Sequence, residues 1–231
     1  MSDNILIAGS RSEIAKALIS KFEVEGFSVW TMSRAHQQRD QHFVVDLFDE
    51  SQNENFVQEL SKMNLNLSGI INCCGILHNE NNMPEKQVGD IDLAWLQESL
   101  RVNLFTHIQL AKLIDTQISG NRFFWVSLSA MVGSINDNHL GGWYSYRMSK
   151  SALNMFVKGL SIEWKRKNRE NCVIALHPGT TDSPMSKPFK VRPDKLYSAE
   201  QSAERIYNVI ANLDTEQNGS FLNWNGDTIP W

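Results

Sequence analysis

A tyrosine and a lysine four positions apart, Tyr146 and Lys150, are the residues of this chain whose types and spacing most clearly suggest chemistry. The apolar periodicity around them predicts a helix over residues 145–167, and positions four apart on a helix share one face. A phenol with a pKa of about 10 is a poor base at neutral pH, but a neighbouring ammonium group lowers that pKa. Such a tyrosine can exchange a proton with a carbonyl or alcohol oxygen. Ordinary helix residues also show this spacing, so its meaning depends on the rest of the chain.

Short apolar runs alternate with segments of helical periodicity from residue 4 onwards. Strands separated by helices of this length require right-handed parallel crossovers. We therefore predict an α/β fold in a single domain over residues 1–231, a Rossmann-type doubly wound parallel sheet of about seven strands. The predicted strands cover 4–8, 27–32, 43–45, 68–72, 123–127, 172–176 and 219–222, and the main helices after the first cover 51–63, 91–118, 145–167 and 199–211.

Composition excludes several classes of function. The formal net charge of −4 provides no basic surface for nucleic acid, and no apolar run approaches the length of a membrane span. The beginning of the chain has neither the basic flank nor the apolar length of a secretion signal, so a cytoplasmic protein is expected. Cys73, Cys74 and Cys172 lack the spacing of metal ligands and are interpreted as small buried residues in a reducing compartment. No metal site is predicted.

The residues that follow the predicted strands share a chemistry suited to a nucleotide, and ligands of such sheets bind at the carboxyl ends of the strands. After the first strand, Gly9-Ser10-Arg11 leads into a helix whose amides can hold a pyrophosphate. Arg34 follows the second strand, where a charged group near a ribose would lie. Asp46 follows the third strand and suits an adenine amino group. The remaining strand-end groups are Asn72-Cys73-Cys74-Gly75, Ser129 and His177-Pro178-Gly179-Thr180-Thr181, in which His177 is interpreted as structural.

The order and spacing of these features resemble the short-chain dehydrogenase/reductase superfamily across nearly the whole chain. The pattern consists of the Gly9 loop, Asp46, Asn72-x-x-Gly75, Asn103, the Ser129 region, Tyr146-x-x-x-Lys150 and Pro178-Gly179. Within that superfamily, the stretches 128–138 and 141–147 resemble the C-factor-like and carbonyl-reductase-like branch. The resemblance implies a nicotinamide enzyme that transfers hydride between the cofactor and a small carbonyl or alcohol substrate.

The resemblance also implies roles for individual residues. Tyr146 would be the acid/base, and Lys150 would lower its pKa and hold the nicotinamide ribose. Ser129 would bind the substrate oxygen, and Asn103 would position a water that links Lys150 to solvent. The implied cofactor-binding residues are Gly9, Ser10, Arg11, Ile14, Arg34, Asp46, Leu47, Asn72, Cys73, Gly75, Tyr146, Lys150, Pro178, Gly179, Thr180 and Thr181.

Two positions depart from the family pattern. Glu13 stands where the phosphate loop usually has glycine, and a carboxylate there would repel a pyrophosphate. The spacing Ser10-x-x-Glu13 predicts a capping box, which would turn the carboxylate away. Ala130 stands where the catalytic serine is usual, so Ser129 is the candidate and Ser134 the reserve.

Further features indicate the cofactor, the substrate and the assembly. NADP is preferred over NAD, because Arg34 suits a 2′-phosphate and no acidic residue ends the second strand. Residues 185–197 are expected to form a mobile lid, whose Met and Phe residues favour an apolar substrate. Met148, Ala152 and Met155 extend the apolar surface of the Tyr146 helix, which predicts a homodimer or homotetramer through that helix and the 91–118 helix.

Two other classes of function remain open from the sequence. Glu13 and Ala130 are compatible with a nucleotide-binding signalling or sensor protein that has this fold and little or no turnover. The third hypothesis is a structural oligomerisation module whose cleft binds no ligand. Tyr146 and Lys150 favour the enzyme, because a pure sensor has no need of the pair.

Overall fold

The computed structural model of the protein describes residues 3–116, 118 and 120–231. Seven parallel strands form one sheet in the order β3-β2-β1-β4-β5-β6-β9, and β7 pairs with β8 in a separate small sheet. The prediction of a doubly wound seven-stranded parallel sheet is confirmed, with strand ends shifted by one or two residues. The strands are β1 (Asn4–Ala8), β2 (Ser28–Ser33), β3 (His42–Val44), β4 (Leu67–Asn72), β5 (Phe124–Leu128), β6 (Cys172–His177), β7 (Thr180–Thr181), β8 (Leu196–Tyr197) and β9 (Phe221–Asn223).

The helices lie close to their predicted positions, with one interruption. The predicted 91–118 helix consists of two α-helical parts joined by a π-helical turn at Arg101–Phe105, and it ends at Ile114, where residues 115 and 116 form a turn. π-turns of this kind are often found at functional sites. The α-helices are α1 (Glu13–Val24), α2 (Glu50–Lys62), α3 (Leu93–Leu100), α4 (Thr106–Ile114), α5 (Tyr144–Lys167) and α6 (Ala199–Ala211).

Two apolar layers, one on each face of the sheet, hold the strands in place. Successive side chains of a strand point to opposite faces. Ile5 and Ile7 accordingly pack in one buried cluster with α1 and α6, while Leu6 packs in the other cluster with α2, α4 and α5. Strands buried on both faces are typical of parallel sheets. The carboxyl ends of the strands therefore meet at one edge, where the predicted functional residues lie.

The segment that the sequence predicts as a lid is tied at both ends. Thr180 pairs with Leu196 and Thr181 with Tyr197, so the ladder between β7 and β8 closes a loop over residues 182–195. These two short strands are not among those predicted from the sequence. None of the helices in the described part of the chain has the length and apolar character needed to cross a membrane.

Candidate active site

One face of α5 carries the predicted catalytic pair. Tyr146, Lys150 and Asn154 are spaced four residues apart and are all buried. The Lys150 Nζ atom lies 5.8 Å from the centre of the Tyr146 ring and donates a hydrogen bond of 2.8 Å to the carbonyl of Leu128, at the end of β5. The backbone of Gly133 packs against α5 so closely that a Cβ there would lie 2.9 Å from the Lys150 Cβ. The strand end and Gly133 thus fix the position of the lysine.

Burial dominates the protonation of both members of the pair. It raises the pKa of the Tyr146 phenol well above its ordinary value. It lowers the pKa of Lys150 to about 8, against a smaller opposing effect of Cys74 and Cys73. Lys150 was expected to lower the pKa of Tyr146, but the net shift of the tyrosine pKa is upwards. At neutral pH the site therefore holds a protonated phenol beside a mostly protonated lysine.

The loop after β1 has the form of a phosphate loop, but its cap differs from the predicted one. Gly9 has a φ of +73°, and a Cβ there would lie 2.9 Å from the Cys74 backbone nitrogen. The helix begins at Glu13, so its N-cap is Ser12, whose hydroxyl accepts a hydrogen bond from the Ala15 amide. The predicted Ser10–Glu13 capping box is therefore wrong, because Glu13 is the first residue of the helix rather than the third.

The side chains of Ser10 and Glu13 both have other partners. The buried Ser10 hydroxyl donates to the Met32 carbonyl and lies 3.2 Å from Gln37 Oε1, which ties the loop to the residues that follow β2. The Glu13 carboxylate forms an ion pair of 2.8 Å with Lys16, and both side chains are largely exposed. The ion pair moderates the repulsion that Glu13 would exert on a phosphate.

Asn103, which lies in the π-helical turn, hydrogen-bonds the turn that follows β4. Its amide oxygen accepts from the Ile76 amide at 2.6 Å, and its amide nitrogen donates to the Ile76 carbonyl and to Ser149 Oγ. A Cβ on Gly75 would lie 3.3 Å from Asn103 Oδ1 and 3.4 Å from Lys150 Nζ. Asn103 thus clamps the turn that passes beside the lysine, a contact that spacing alone does not reveal.

The serines expected to bind the substrate oxygen are engaged elsewhere. The buried Ser129 hydroxyl donates to Asn154 Oδ1 at 2.6 Å, and the Ser134 hydroxyl donates to the Pro230 carbonyl. A substrate carbonyl requires a donor, and both hydroxyl protons are already used. Ser129 would have to exchange Asn154 for the substrate oxygen in order to donate to it, and its role stays a prediction. Asn154 was missed, although its spacing from Lys150 could have identified it.

A cavity of about 560 Å³ joins the phosphate loop to the catalytic pair. Its wall near Tyr146 is aromatic and apolar: the Trp143 and Phe189 ring centres lie 5.0 Å apart, and those of Trp143 and Tyr146 6.4 Å apart. Predicted site residues that line the cavity are Arg11, Ile14, Cys73, Gly75, Ser129, Tyr146, Lys150, Pro178, Gly179, Thr180 and Thr181.

The other predicted site residues do not line the cavity. Leu47 is buried in the core, and Asp46 Oδ1 accepts from the Phe48 amide in a local turn. Arg34 is exposed beyond the cavity. The full set outside the lining is Gly9, Ser10, Arg34, Asp46, Leu47, Asn72 and Asn103.

The edge of the cavity suits a nucleotide cofactor. Gly9 packs against Cys74, and Gly75 packs against Asn103 and Lys150, so a side chain at either position would displace the turns beside the cavity. Two buried polar atoms beside the cleft, Asn72 Nδ2 and His177 Nδ1, have no hydrogen-bond partner within the described part of the chain. Burial also lowers the pKa of His177 to about 4, so the ring is neutral at pH 7. Among the described residues, no cluster of three His, Cys, Asp or Glu side chains could hold a metal ion.

The fold and this cleft define a dinucleotide-binding protein of the Rossmann type. The family described as short chain dehydrogenase matches residues 3–193, and the chain belongs to that family of NAD(P)-dependent oxidoreductases. The C-signal protein of Myxococcus xanthus is 28% identical over 145 residues, which cover 62% of this chain and 83% of that protein.

Two solved structures have the same fold. The carbonyl reductase Sniffer of D. melanogaster has a TM-score of 0.86 with 22% identity and full coverage of both chains. The NADPH-bound carbonyl reductase from chicken fatty liver has a TM-score of 0.84 with 19% identity, over 100% of this chain and 94% of that one. The predicted superfamily is confirmed by the family match, and the similarity to the C-signal protein is in keeping with the predicted branch.

Proposed function

We propose that this protein reduces small carbonyl compounds with NADPH, or oxidises the corresponding alcohols, with Tyr146 as the acid/base. The observation that carries the proposal is the position of Tyr146 and Lys150 on one buried helix face, in the same cavity as the phosphate loop. The cavity offers the pyrophosphate a helix N-terminus at one end and the substrate oxygen a phenol at the other. When bound there, a nicotinamide supplies the hydride.

The protonation states of Tyr146 and Lys150 suit reduction. The raised pKa keeps the Tyr146 phenol protonated at neutral pH, so it can donate a proton to the oxygen that gains charge as a carbonyl is reduced. Lys150 then stabilises the phenolate that remains, because its ammonium lies on the same helix face. Its bond to the Leu128 carbonyl holds the ammonium in place during this transfer. Oxidation of an alcohol would use the same groups in reverse.

The substrate that fits the cavity is apolar and carries an aromatic group. Phe189 comes from the lid, Trp143 precedes α5, and the two rings face the space beside Tyr146. His78 connects the lid to the opposite loop, since its Nε2 atom lies 3.1 Å from the Met185 carbonyl and its ring is edge-on to Phe189. Aromatic groups pack favourably against such rings. Suitable test compounds are benzaldehyde, acetophenone and naphthoquinone.

NADPH is the proposed cofactor rather than NADH. Arg11 and Arg34 are both exposed, and neither forms an ion pair with a described residue. Arg34 follows β2, where the outer ribose of a dinucleotide would lie, and its guanidinium can bind a 2′-phosphate through two parallel hydrogen bonds. The NADPH-bound fold relative from chicken is in keeping with this choice.

Replacement of Arg34 is expected to lower the affinity for NADPH more than the affinity for NADH. Because a charged hydrogen bond contributes roughly 1.5–3 kcal/mol, Arg34→Ala should weaken NADPH binding about 10- to 100-fold and leave NADH binding within about twofold. The Kd values can be measured through quenching of the fluorescence of the seven tryptophans. Arg166→Ala, an exposed arginine near the end of α5, is the charge-matched control. An equal loss for both cofactors would contradict the preference for NADPH.

A homodimer or larger assembly is proposed through α5. Met148, Met155 and Ile162 are spaced seven residues apart and are 41%, 72% and 50% exposed, which forms an apolar stripe along the helix. Sedimentation is expected to show a mass at least twice 26.3 kDa, and Met155→Glu should reduce it to 26.3 kDa. Val24→Glu, at an exposed apolar position of α1, should leave the mass unchanged. A native monomer at micromolar concentration would exclude this interface.

A nucleotide-binding sensor with little turnover is the second candidate. It is favoured by the engagement of Ser129 with Asn154, which leaves Tyr146 without a serine donor beside it. The two candidates differ in one measurement, because both predict NADPH binding and only the enzyme predicts NADPH consumption with the test carbonyls. Absence of binding at millimolar NADPH would exclude both.

A further inference from the structure

Two buried charged side chains flank Tyr146. Lys150 is 3% exposed and Glu85 is 4% exposed, and every other described Lys, Arg, Asp and Glu is more exposed than these. A buried carboxylate costs free energy unless hydrogen bonds replace its lost hydration. Lys150 follows Tyr146 by one helical turn, whereas Glu85 contacts the residue before it. The proposed function uses the lysine and assigns nothing to the glutamate.

Glu85 reaches the start of α5 from the loop between β4 and α3. Its carboxylate accepts hydrogen bonds from the Ser145 amide, at 3.2 Å to the nearer oxygen, and from the Ser145 hydroxyl. Its backbone carbonyl accepts from the Trp143 amide at 2.6 Å. Glu85 thus holds positions 143 and 145 of the turn that leads into Tyr146.

The helix has no side-chain cap from its own segment. Trp143 occupies the N-cap position with a φ of +51°, and its side chain accepts no hydrogen bond. A left-handed tryptophan is strained and persists only where its surroundings hold it. The preceding Gly142 touches the same glutamate, since a Cβ there would lie 3.1 Å from the Glu85 carbonyl oxygen. Glu85 therefore replaces the missing cap and stabilises the strained turn.

We propose that Glu85 is a positioning residue, which sets the orientation of the Tyr146 phenol and of the Trp143 wall towards the carbonyl substrate. The proposal rests on the proposed function of Tyr146. An exposed cap within the segment would stabilise the helix at a smaller cost of desolvation. A buried carboxylate from a distant loop also links the wall of the cavity to the first turn of α5. Small displacements of a reacting group lower turnover more than they lower cofactor binding.

The test compares Glu85→Ala and Glu85→Gln with Asp92→Ala, using NADPH and naphthoquinone. Asp92 is exposed and caps α3 through the Ala94 amide, so its loss removes a carboxylate cap outside the cavity. Glu85→Ala is expected to lower kcat about 10- to 100-fold with the NADPH Kd within about twofold. Glu85→Gln should lose about three- to tenfold, because its amide oxygen still accepts from Ser145. Asp92→Ala should lower Tm and leave kcat unchanged.

A kcat for Glu85→Ala within about twofold of the native value would overturn the proposal, as would an NADPH Kd that weakens in step with kcat. If Glu85→Ala does not fold, the isosteric Glu85→Gln carries the test, and an unchanged kcat for it overturns the positioning role. Tyr146→Phe, measured in parallel, distinguishes a failure of the proposed function from a failure of the role proposed for Glu85. Full turnover in Tyr146→Phe refutes the proposed function, whereas an inactive Tyr146→Phe with fully active Glu85 variants refutes only the role of Glu85.

Discussion

Tyr146→Phe is expected to lower kcat for carbonyl reduction by about 10²- to 10⁴-fold, the range that a positioned general acid contributes. The substitution removes only the hydroxyl group, and the ring keeps its contact with Trp143 at the cavity wall. NADPH binding should stay within about twofold, since the phosphate loop and the Gly75 turn are unchanged. Consumption of NADPH with naphthoquinone, followed by absorbance, measures the effect.

A neighbouring tyrosine provides the control for this result. Tyr144 lies in the same first turn of α5 and does not line the cavity, so Tyr144→Phe makes the same chemical change outside the site. It should retain nearly full turnover. Ser129→Ala should lose less than about tenfold, because the serine hydroxyl is engaged with Asn154. Turnover in Tyr146→Phe above about a third of the native rate would show that another group supplies the proton.

Lys150→Met is expected to affect activity and stability in different ways. Turnover should fall at least about 10²-fold, because the phenolate of Tyr146 loses its nearby positive charge. The lysine also destabilises the folded protein at neutral pH. Burial lowers its pKa from 10.5 to about 8, a difference worth roughly 3 kcal/mol at pH 7. Loss of the bond to the Leu128 carbonyl offsets part of what methionine would recover.

The pH dependence of stability provides the sharper measurement. Because the folded pKa lies below the unfolded value, the unfolded chain binds this proton more tightly, and the native protein loses stability as the pH falls from about 10.5 to about 8. Relative to Lys150→Met, the native protein should therefore gain about 2 kcal/mol between pH 7 and pH 9.5. Urea unfolding of both proteins at the two pH values measures this gain. Lys158→Met, at an exposed position of α5, should follow the native curve. Parallel curves for native and Lys150→Met would contradict the buried charge.

The predictions for the helix cap, for Ser129 and for the pKa of Tyr146 all depended on details that local spacing does not give. The capping box at Ser10 and Glu13 depended on the first helical residue, and a one-residue shift of a helix start changes which side chain can reach the free amides. Ser129 was placed from the family pattern, but the direction of its hydroxyl depends on Asn154, which comes from α5. Local spacing cannot resolve either choice. The net pKa shift of Tyr146 likewise depends on burial, which arises from the packing around it.

Patterns local in the chain were sufficient for the sheet, the approximate helices and the shared face of Tyr146 and Lys150. Strand alternation and helical periodicity operate over a few residues, and the order of the strands along the chain implies that their carboxyl ends meet at one edge. The contact of Glu85 with Ser145, 60 residues later, has no local signal. Nor do the partners of Asn103 and Ser129. Such long-range hydrogen bonds form only when the tertiary structure brings separate segments together. They determine the orientation of Tyr146 and which neighbouring side chains are free to hydrogen-bond a substrate.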